Sequence, residues 1–391
     1  KEYNEMYKRS KPIADEPDIY IFSDPDFLHP KFPNGLAYFD PEHNCACLLG
    51  LRYFGEHKKG TLTLAWGIAN RNGYVSCHGG LKRIVRKDGK AHVVGVFGLS
   101  GSGKSTLTHA KHDGKYDVTV LHDDAYIISS DDGSTVALEP SYFDKTQDYP
   151  MTSPDNKYLL TVQNCGATID EDGKLVLVTE DIRNGNGRAI KSKLWAANRV
   201  DKMEEEINTV IWLMKDHTLP PVLKVKDAVL ASVMGACLAT KRTSAERLAE
   251  GVDINALVFE PYANPFRTYR LAQDYEKFKD LFERRGVTNY ILNTGFFMDK
   301  KIPKEVTIGI LEAIFDETIK LEKFGEIEEF EYMKVDGFEV DFENKVYADA
   351  FKGGMIGRLN FITSRNEFKG GLDRLPAEAY EKIWNIIEKL G

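Results

Sequence analysis

Between the apolar run His92-Val93-Val94-Gly95-Val96-Phe97 and a segment expected to be helical, Thr106 to His112, the chain reads Gly98-Leu99-Ser100-Gly101-Ser102-Gly103-Lys104-Ser105. No other string constrains the fold as strongly, because it has the spacing of a phosphate-binding loop placed where a strand gives way to a helix. Its glycines let backbone N–H groups converge on phosphate oxygens, Lys104 reaches the terminal phosphates, and the Ser105 hydroxyl can hold a divalent cation. A ligand-free glycine turn is the plainer reading of such a string. The strand before it and the helix after it favour a nucleotide site.

Composition narrows the class of partner. The chain has 391 residues, enough for a large core and two domains, with 42% hydrophobic and 29% charged residues. No apolar stretch approaches the roughly 20 residues that span a bilayer, so no membrane role is expected. With 52 basic against 60 acidic residues the net charge is −8. There is no global basic field for nucleic acid, and an anionic substrate must be captured by a local cluster. Five cysteines, Cys45, Cys47, Cys77, Cys165 and Cys237, make no disulfide framework in a chain of this length. No secretory signal opens it, so a reducing cytoplasm is expected. Cys45-x-Cys47 lacks a second pair at ligand spacing and sits in a strand-like run, which favours a structural role. Because the chain opens on Lys1 rather than methionine, a segment upstream is expected to be missing.

Texture changes along the chain. Up to about residue 80 it reads as short strands and turns, with Ile19–Phe22, Gly35–Phe39 and Ala46–Leu49 separated by Pro, Gly, Asn and Asp. From about residue 90, apolar strands such as Val118–Leu121, Lys174–Val178, Thr209–Leu213 and Tyr290–Leu292 alternate with helical periodicity, the pattern of an α/β nucleotide-binding domain. The expected division is 1–85, the end of a β-rich substrate-binding domain, and 86–391, a mononucleotide-binding domain. Late helices are expected from Pro303, with Ile308, Leu311, Ile314 and Phe315 on one face, and from Pro376, with Tyr380, Ile383, Trp384 and Ile387. Those stripes read as core. The acid-rich run Glu322 to Glu331 reads as a solvated surface face.

After the loop, Val118–Leu121 leads into His122-Asp123-Asp124. Two adjacent carboxylates at a strand end suit two cations: Asp123 for the magnesium that travels with a nucleotide, Asp124 for a second ion. Alone, an Asp-Asp pair is equally a turn. Upstream stand Tyr53-Phe54-Gly55-Glu56-His57-Lys58-Lys59-Gly60 and Ser76-Cys77-His78-Gly79; downstream stand Glu139 to Thr146, Asn186-Gly187-Arg188 and Tyr290-Ile291-Leu292-Asn293-Thr294-Gly295.

In order and interval these motifs resemble the ATP-dependent phosphoenolpyruvate carboxykinase family, which carries Tyr-x-Gly-Glu-x-Lys-Lys-Gly, a histidine at the interval of Lys59 to His78, Gly-Leu-Ser-Gly-x-Gly-Lys-Thr, an Asp-Asp pair, Lys-Thr, Asn-Thr-Arg and Tyr-Leu-Val-Asn-Thr-Gly. The similarity covers most of residues 35 to 320. It implies an α/β, P-loop-containing carboxykinase-like fold: a mixed-sheet nucleotide-binding domain following the remnant of a β-rich N-terminal domain.

The resemblance implies that Lys59, His78 and Asp124 bind Mn²⁺, an N,N,O set that suits a borderline cation and requires a neutral lysine and a neutral histidine. It implies conversion of oxaloacetate and ATP to phosphoenolpyruvate, CO₂ and ADP, by decarboxylation to an enolate and in-line attack on the γ-phosphoryl group. Lys104, Lys145, Arg188 and the two cations, Mn²⁺ and Mg²⁺, would neutralise charge. The loop from Gly98 to Thr106 would hold the triphosphate, with Ser105 on the metal. Tyr53 corresponds to a tyrosine beside the CO₂ and carboxylate site, and Lys301, Ile302 and Thr307 fall at the base. No nucleic-acid or membrane partner follows, and the assembly expected is a monomer or small homo-oligomer.

Four departures stand out. Ala125-Tyr126 replaces Glu-His after the Asp-Asp pair, and Lys301 replaces an arginine that stacks on adenine. The stretch comparable to the family's ATP lid, Val229 to Thr240, lacks its Thr-Ala-Lys. The Gly-Arg-Ser-Pro motif whose arginine holds the substrate carboxylate does not occur, for which truncation is the expected reason. A divergent P-loop kinase with another acceptor and a nucleotide-binding regulator without catalysis remain as alternatives.

Overall fold

The structure is a computed structural model that describes residues 16–99, 101–181, 183, 185–241 and 257–391. It divides into two compact units, the first comprising the chain to Asn72 with Ala137–Asp201, the second Gly73–Val136 with Lys202–Gly391.

The second unit is built on an eleven-stranded mixed sheet among the described residues. At its centre Ala91–Phe97, Thr209–Met214 and Thr288–Asn293 run parallel, with Trp212 level with both Phe97 and Ile291. Every residue of Thr209–Met214 is buried, as expected of a parallel strand covered on both faces. On one face Leu311, Ile314 and Phe315 of the helix Lys304–Phe315 join Val96, Ile211 and Leu292 in a continuous apolar core. Elsewhere Trp212 packs its ring on Phe97 (centroids 5.0 Å apart) and on Phe278 (5.1 Å) of the helix Leu271–Glu283. Because the three parallel strands share direction and register, their C-terminal ends lie side by side. The glycine-rich loop, Lys215 and Thr294 begin there.

The expected boundary at 85/86 is corrected by the sheet. Tyr74–Val85 pairs along most of its length with Ala91–Phe97, and also with Asp117–His122 and Ala125–Ser129. A strand with these partners belongs to the large sheet, so the second unit begins at Gly73.

In the first unit, Tyr20–Asp24, Cys45–Leu49 and Leu36–Asp40 form a three-stranded sheet that supports the helix Phe54–Arg71. Gly60 faces the sheet, where a Cβ would make ordinary contact with Phe39 and Leu48 at 3.6 and 3.8 Å. A second sheet orders Leu159–Gln163, Arg188–Ser192 and Ser141–Lys145.

Several expectations are corrected. Helix Phe54–Arg71 lies where only strands and turns were expected, since Gly55, Gly60 and Gly67 dilute its helical signal. The helix after the glycine loop spans only Lys104–Thr108, and His112 opens a separate 3₁₀ turn in which Asp113 has φ of 50°. Lys174–Val178 contributes only Leu175–Leu177, half of a small hairpin in the first unit with Leu175 exposed, not a core strand. Glu322 to Glu331 contributes to two paired strands, Glu322–Phe324 at the sheet edge and Ile327–Tyr332 between it and Val222–Val225, in which Phe324, Ile327 and Phe330 are buried while Glu322 and Glu328 are exposed. The helices after Pro303 and Pro376 begin where expected, yet Trp384 is half exposed. Val229 to Ala236 lies in the helix Ala228–Ala236, which starts on the Asp227 side chain accepting from Leu230 N at 2.8 Å. With Leu230, Val233, Met234 and Gly235 all buried, that helix is core and no lid.

Candidate functional site

The glycine-rich loop follows directly on Phe97. Gly98 is demanded by contact, since a Cβ there would meet Leu213 Cβ at 2.9 Å. Gly101 and Gly103 have φ of 77° and 98°, the left-handed region that a side chain disfavours. Ser102 is buried, its N–H donates to Leu99 O at 3.0 Å, and its carbonyl accepts from the Thr294 hydroxyl at 2.8 Å. Thus the loop is tied to the end of a neighbouring strand. Ser105 and Thr106 are exposed, Lys104 is mostly covered, and Ser100 lies outside the described residues.

Asp123 and Asp124 stand beyond the strand Asp117–His122, where His122 Nδ1 accepts from the N–H groups of Asp124 (3.0 Å) and Ala125 (3.2 Å). That fixes both carboxylates relative to the strand. Asp124 Oδ1 lies 2.9 Å from His78 Nε2 and 3.2 Å from Lys104 Nζ. Asp123 Oδ2 lies 3.4 Å from His109 Nε2. Burial alone would raise the Asp123 carboxyl, but the His109 contact and the charges of His122 and His109 hold it well below the usual range.

His78 is oriented from behind. Its Nδ1 meets the Ala263 carbonyl, to which it donates, so Nε2 is the nitrogen that faces Asp124. The carbonyl is delivered by a strained turn, Tyr262 and Ala263 having φ of 53° and 54°. Tyr262 is pinned by stacking on Phe278 at 4.6 Å. With the other ring nitrogen committed elsewhere, Nε2 and a carboxylate oxygen 2.9 Å apart are an N,O donor pair of the kind a divalent cation takes when it displaces the Nε2 proton. Among the described residues no three His, Cys, Asp or Glu side chains converge.

Lys301, Ile302 and Thr307 line one cavity of about 540 Å³ together with Gly101, Ser102 and Gly103. Ile302 and Thr307 are buried; Lys301 is exposed. Ala125 and Tyr126, where the Glu-His of the resemblance is absent, are wholly buried, and the Tyr126 hydroxyl occupies the space that a Cβ at Gly95 would need.

The first unit gathers another set. Tyr53 precedes the helix Phe54–Arg71, and its ring folds back over Gly55, where any side chain would collide with it. Arg188 lies over that ring at 5.2 Å and donates to the Gly187 carbonyl at 2.8 Å. In the antiparallel ladder Arg188 is directly opposite Lys145, so the two expected phosphate-binding cations are neighbours. Burial raises the Tyr53 phenol. Lys59 is half buried on the second turn of the helix; its neighbour Lys58 pairs with Glu139 at 2.7 Å.

Sequence reasoning missed His109, the Ala263 carbonyl, Thr294 as the loop's tether, and Lys215. Only Lys215 carried a usable signal, a cation immediately beyond a parallel strand's C-terminal end. Cys45 and Cys47 are free thiols on one strand of the small sheet. No helix among the described residues is long and apolar enough to cross a membrane.

Comparison with known proteins adds a family. The model described as phosphoenolpyruvate carboxykinase matches residues 9–340. Phosphoenolpyruvate carboxykinase (ATP) of Aeropyrum pernix is 28% identical over 310 residues, 75% of this chain and 61% of that protein. The glycosomal phosphoenolpyruvate carboxykinases (ATP) of Trypanosoma brucei brucei and Trypanosoma cruzi are 24% and 23% identical over 70% and 83% of this chain, covering 58% and 72% of their own lengths. The chain thus spans about three fifths of the first two relatives.

Proposed function

Since this chain belongs to the ATP-dependent phosphoenolpyruvate carboxykinase family, we propose that it takes oxaloacetate and ATP to phosphoenolpyruvate, CO₂ and ADP in a cytoplasmic setting. The observation that carries the reading is the meeting of His78 Nε2, Asp124 and Lys104 beside the glycine-rich loop, with His78 Nδ1 held by Ala263. A pair of donors and a loop lysine in that arrangement suit a cation next to a terminal phosphate.

His78 and Asp124 hold Mn²⁺, with Lys59 assigned to the ligand set on its motif alone. Asp123 and Ser105 serve Mg²⁺. The cations supply charge neutralisation at the developing enolate oxygen and the γ-phosphoryl group. The amides from Gly98 to Thr106 bind the triphosphate and Lys104 its terminal oxygens. Lys145 and Arg188, opposite one another, neutralise the phosphoryl group in transfer. Tyr53, with its phenol kept protonated by burial, orients the carboxylate or CO₂. The base is held by Lys301, Ile302 and Thr307.

The test is phosphoenolpyruvate formation from oxaloacetate and ATP by the purified chain with Mn²⁺, compared with His78→Ala. Flux lost in the variant while ADP binding persists supports the reading. A wild-type protein that binds ATP but forms no phosphoenolpyruvate with ATP, other nucleotides or pyrophosphate overturns it, in favour of another acceptor or a regulatory role.

A further inference from the structure

The cavity beside the glycine-rich loop holds a cation that the proposed reaction leaves without a role. Lys215 follows the fully buried strand Thr209–Met214, so it stands at the C-terminal end of the strand adjacent to the one that feeds the loop. Its position is fixed on two sides. Its N–H donates to Ala239 O at 3.1 Å, and Thr294 N donates to Met214 O at 2.9 Å, locking the strand ends together. Its aliphatic stem lies on Gly295, where a Cβ would come within 3.2 Å of Lys215 Cβ and 3.3 Å of Cγ. The Gly295 carbonyl in turn accepts from Ile302 N at 3.0 Å, which brings Lys301 to the other flank of the same glycine. A side chain so placed can extend only along the cavity wall.

Both lysines line that cavity, with Gly101, Gly103, Thr294 and Thr307; Glu305 is the one carboxylate among its described lining residues. Lys104, His78 and Asp124 do not line it. Lys301, Ile302 and Thr307, proposed above to hold the base, do line it, which puts it at the nucleoside end of the proposed ligand. Burial, and then the like charge of Lys301, hold the Lys215 ammonium below the ordinary lysine range. Three lysines, Lys215, Lys301 and Lys304, against the single carboxylate of Glu305 on one cavity wall call for an anionic ligand.

We propose that Lys215 is a nucleotide-specificity residue, an ammonium that binds the nucleoside-proximal phosphate of a nucleoside di- or triphosphate beside Lys301. The inference rests on the nucleotide-binding reading and deepens it: Lys104 addresses the end of the phosphate chain that reacts, Lys215 the end attached to the sugar. A ligand that has the nucleoside but no phosphate offers Lys215 nothing to bind.

The experiment is calorimetric titration of wild type, Lys215→Met and Lys215→Arg with ADP and with adenosine, alongside thermal melting. Lys215→Met keeps the stem on Gly295 and removes the charge. The expected result is ADP affinity weakened roughly tenfold or more, adenosine affinity changed less than about threefold, and recovery of ADP affinity in Lys215→Arg. Should the methionine variant fail to fold, Lys215→Gln takes its place. Unchanged ADP affinity overturns the proposal, as does an equal loss for both ligands, which would place Lys215 on the nucleoside or in the packing of the cavity wall. Failure of the wild type to bind ADP overturns the nucleotide reading and this inference together; ADP binding with unchanged affinity in the variant overturns the inference alone.

Discussion

The two units solve the same problem, holding charged groups still, by different means. In the second unit, site residues are fixed by backbone: the glycine loop, Asp123, Asp124, Lys215 and Thr294 all start at strand ends of a sheet whose central strand is wholly buried. In the first, the supports are smaller: Lys145 and Arg188 face each other across a short antiparallel ladder, the Tyr53 ring is held by side-chain contact with Arg188, and the other small sheet leaves Tyr20, Phe22 and Tyr38 each more than 60% exposed. Backbone placement survives loss of a single contact; side-chain placement depends on it.

Buried charge should break this contrast most strongly. Asp216 and Arg358 of the second unit pair at 2.7 Å with neither side chain exposed, and Asp216 also accepts from the Thr218 N–H and hydroxyl. Asp216→Ala strands the guanidinium, and urea unfolding should show a loss of about 3–5 kcal/mol. In the first unit Arg52 and Asp26 pair at 2.6 Å while largely exposed, so Asp26→Asn should cost at most about 0.5 kcal/mol. Equal losses would mean that the first unit is as tightly determined as the second.

Activity should divide the units next. Asp124→Asn removes a proposed cation ligand and the partner of both His78 and Lys104, and should lower carboxykinase kcat by about 10²–10³-fold. Arg188→Met in the first unit should lower kcat by about 10–100-fold while ADP affinity stays within about threefold, since the proposed contact is with the phosphoryl group in transfer. An ADP affinity that falls as far as kcat would place Arg188 on the nucleotide instead.

What the sequence revealed follows the same division. The loop and the strands Thr209–Met214 and Thr288–Asn293 were legible because buried parallel strands are largely apolar and glycine with positive φ has few alternatives, and Asp117–His122, antiparallel to Tyr74–Val85, was legible from its own apolar run. The helices after Pro303 and Pro376 were legible from proline and period. Hidden were interactions that leave no pattern: a carbonyl at Ala263 serving His78, the pairing that carries Tyr74–Val85 into the large sheet, and a first unit assembled from two stretches of chain. The helix Phe54–Arg71 was hidden by its own glycines.

A last effect separates the units by pH. Asp274 of the second unit is wholly buried; one oxygen accepts from the Tyr269 hydroxyl at 3.0 Å, and the other has no hydrogen-bond partner among the described residues. Arg267, the nearest cation to help it, is already paired with Asp373 at 3.0 Å. Burial pushes the Asp274 carboxyl up to about 7, against the pull of Arg267 and Tyr269, and burial likewise pushes Glu260 up to about 7. A carboxyl whose folded pKa exceeds its unfolded value binds more protons in the folded state, so stability falls as pH rises from about 4 to about 7 and then levels. In the first unit the sign is reversed. Hydrogen bonding by Arg71 holds Glu16 down to about 2, a contribution present above the unfolded carboxyl pKa and lost as pH falls toward 2. Asp274→Asn keeps an acceptor for Tyr269 and removes the titration. Melting followed from pH 4 to 8 should therefore show the variant gaining on the wild type by roughly 4 kcal/mol across pH 4–7, with no difference in slope below pH 4. A variant that melts parallel to the wild type across the whole range would show that Asp274 is ionised in the folded protein and that the second unit accommodates its charge.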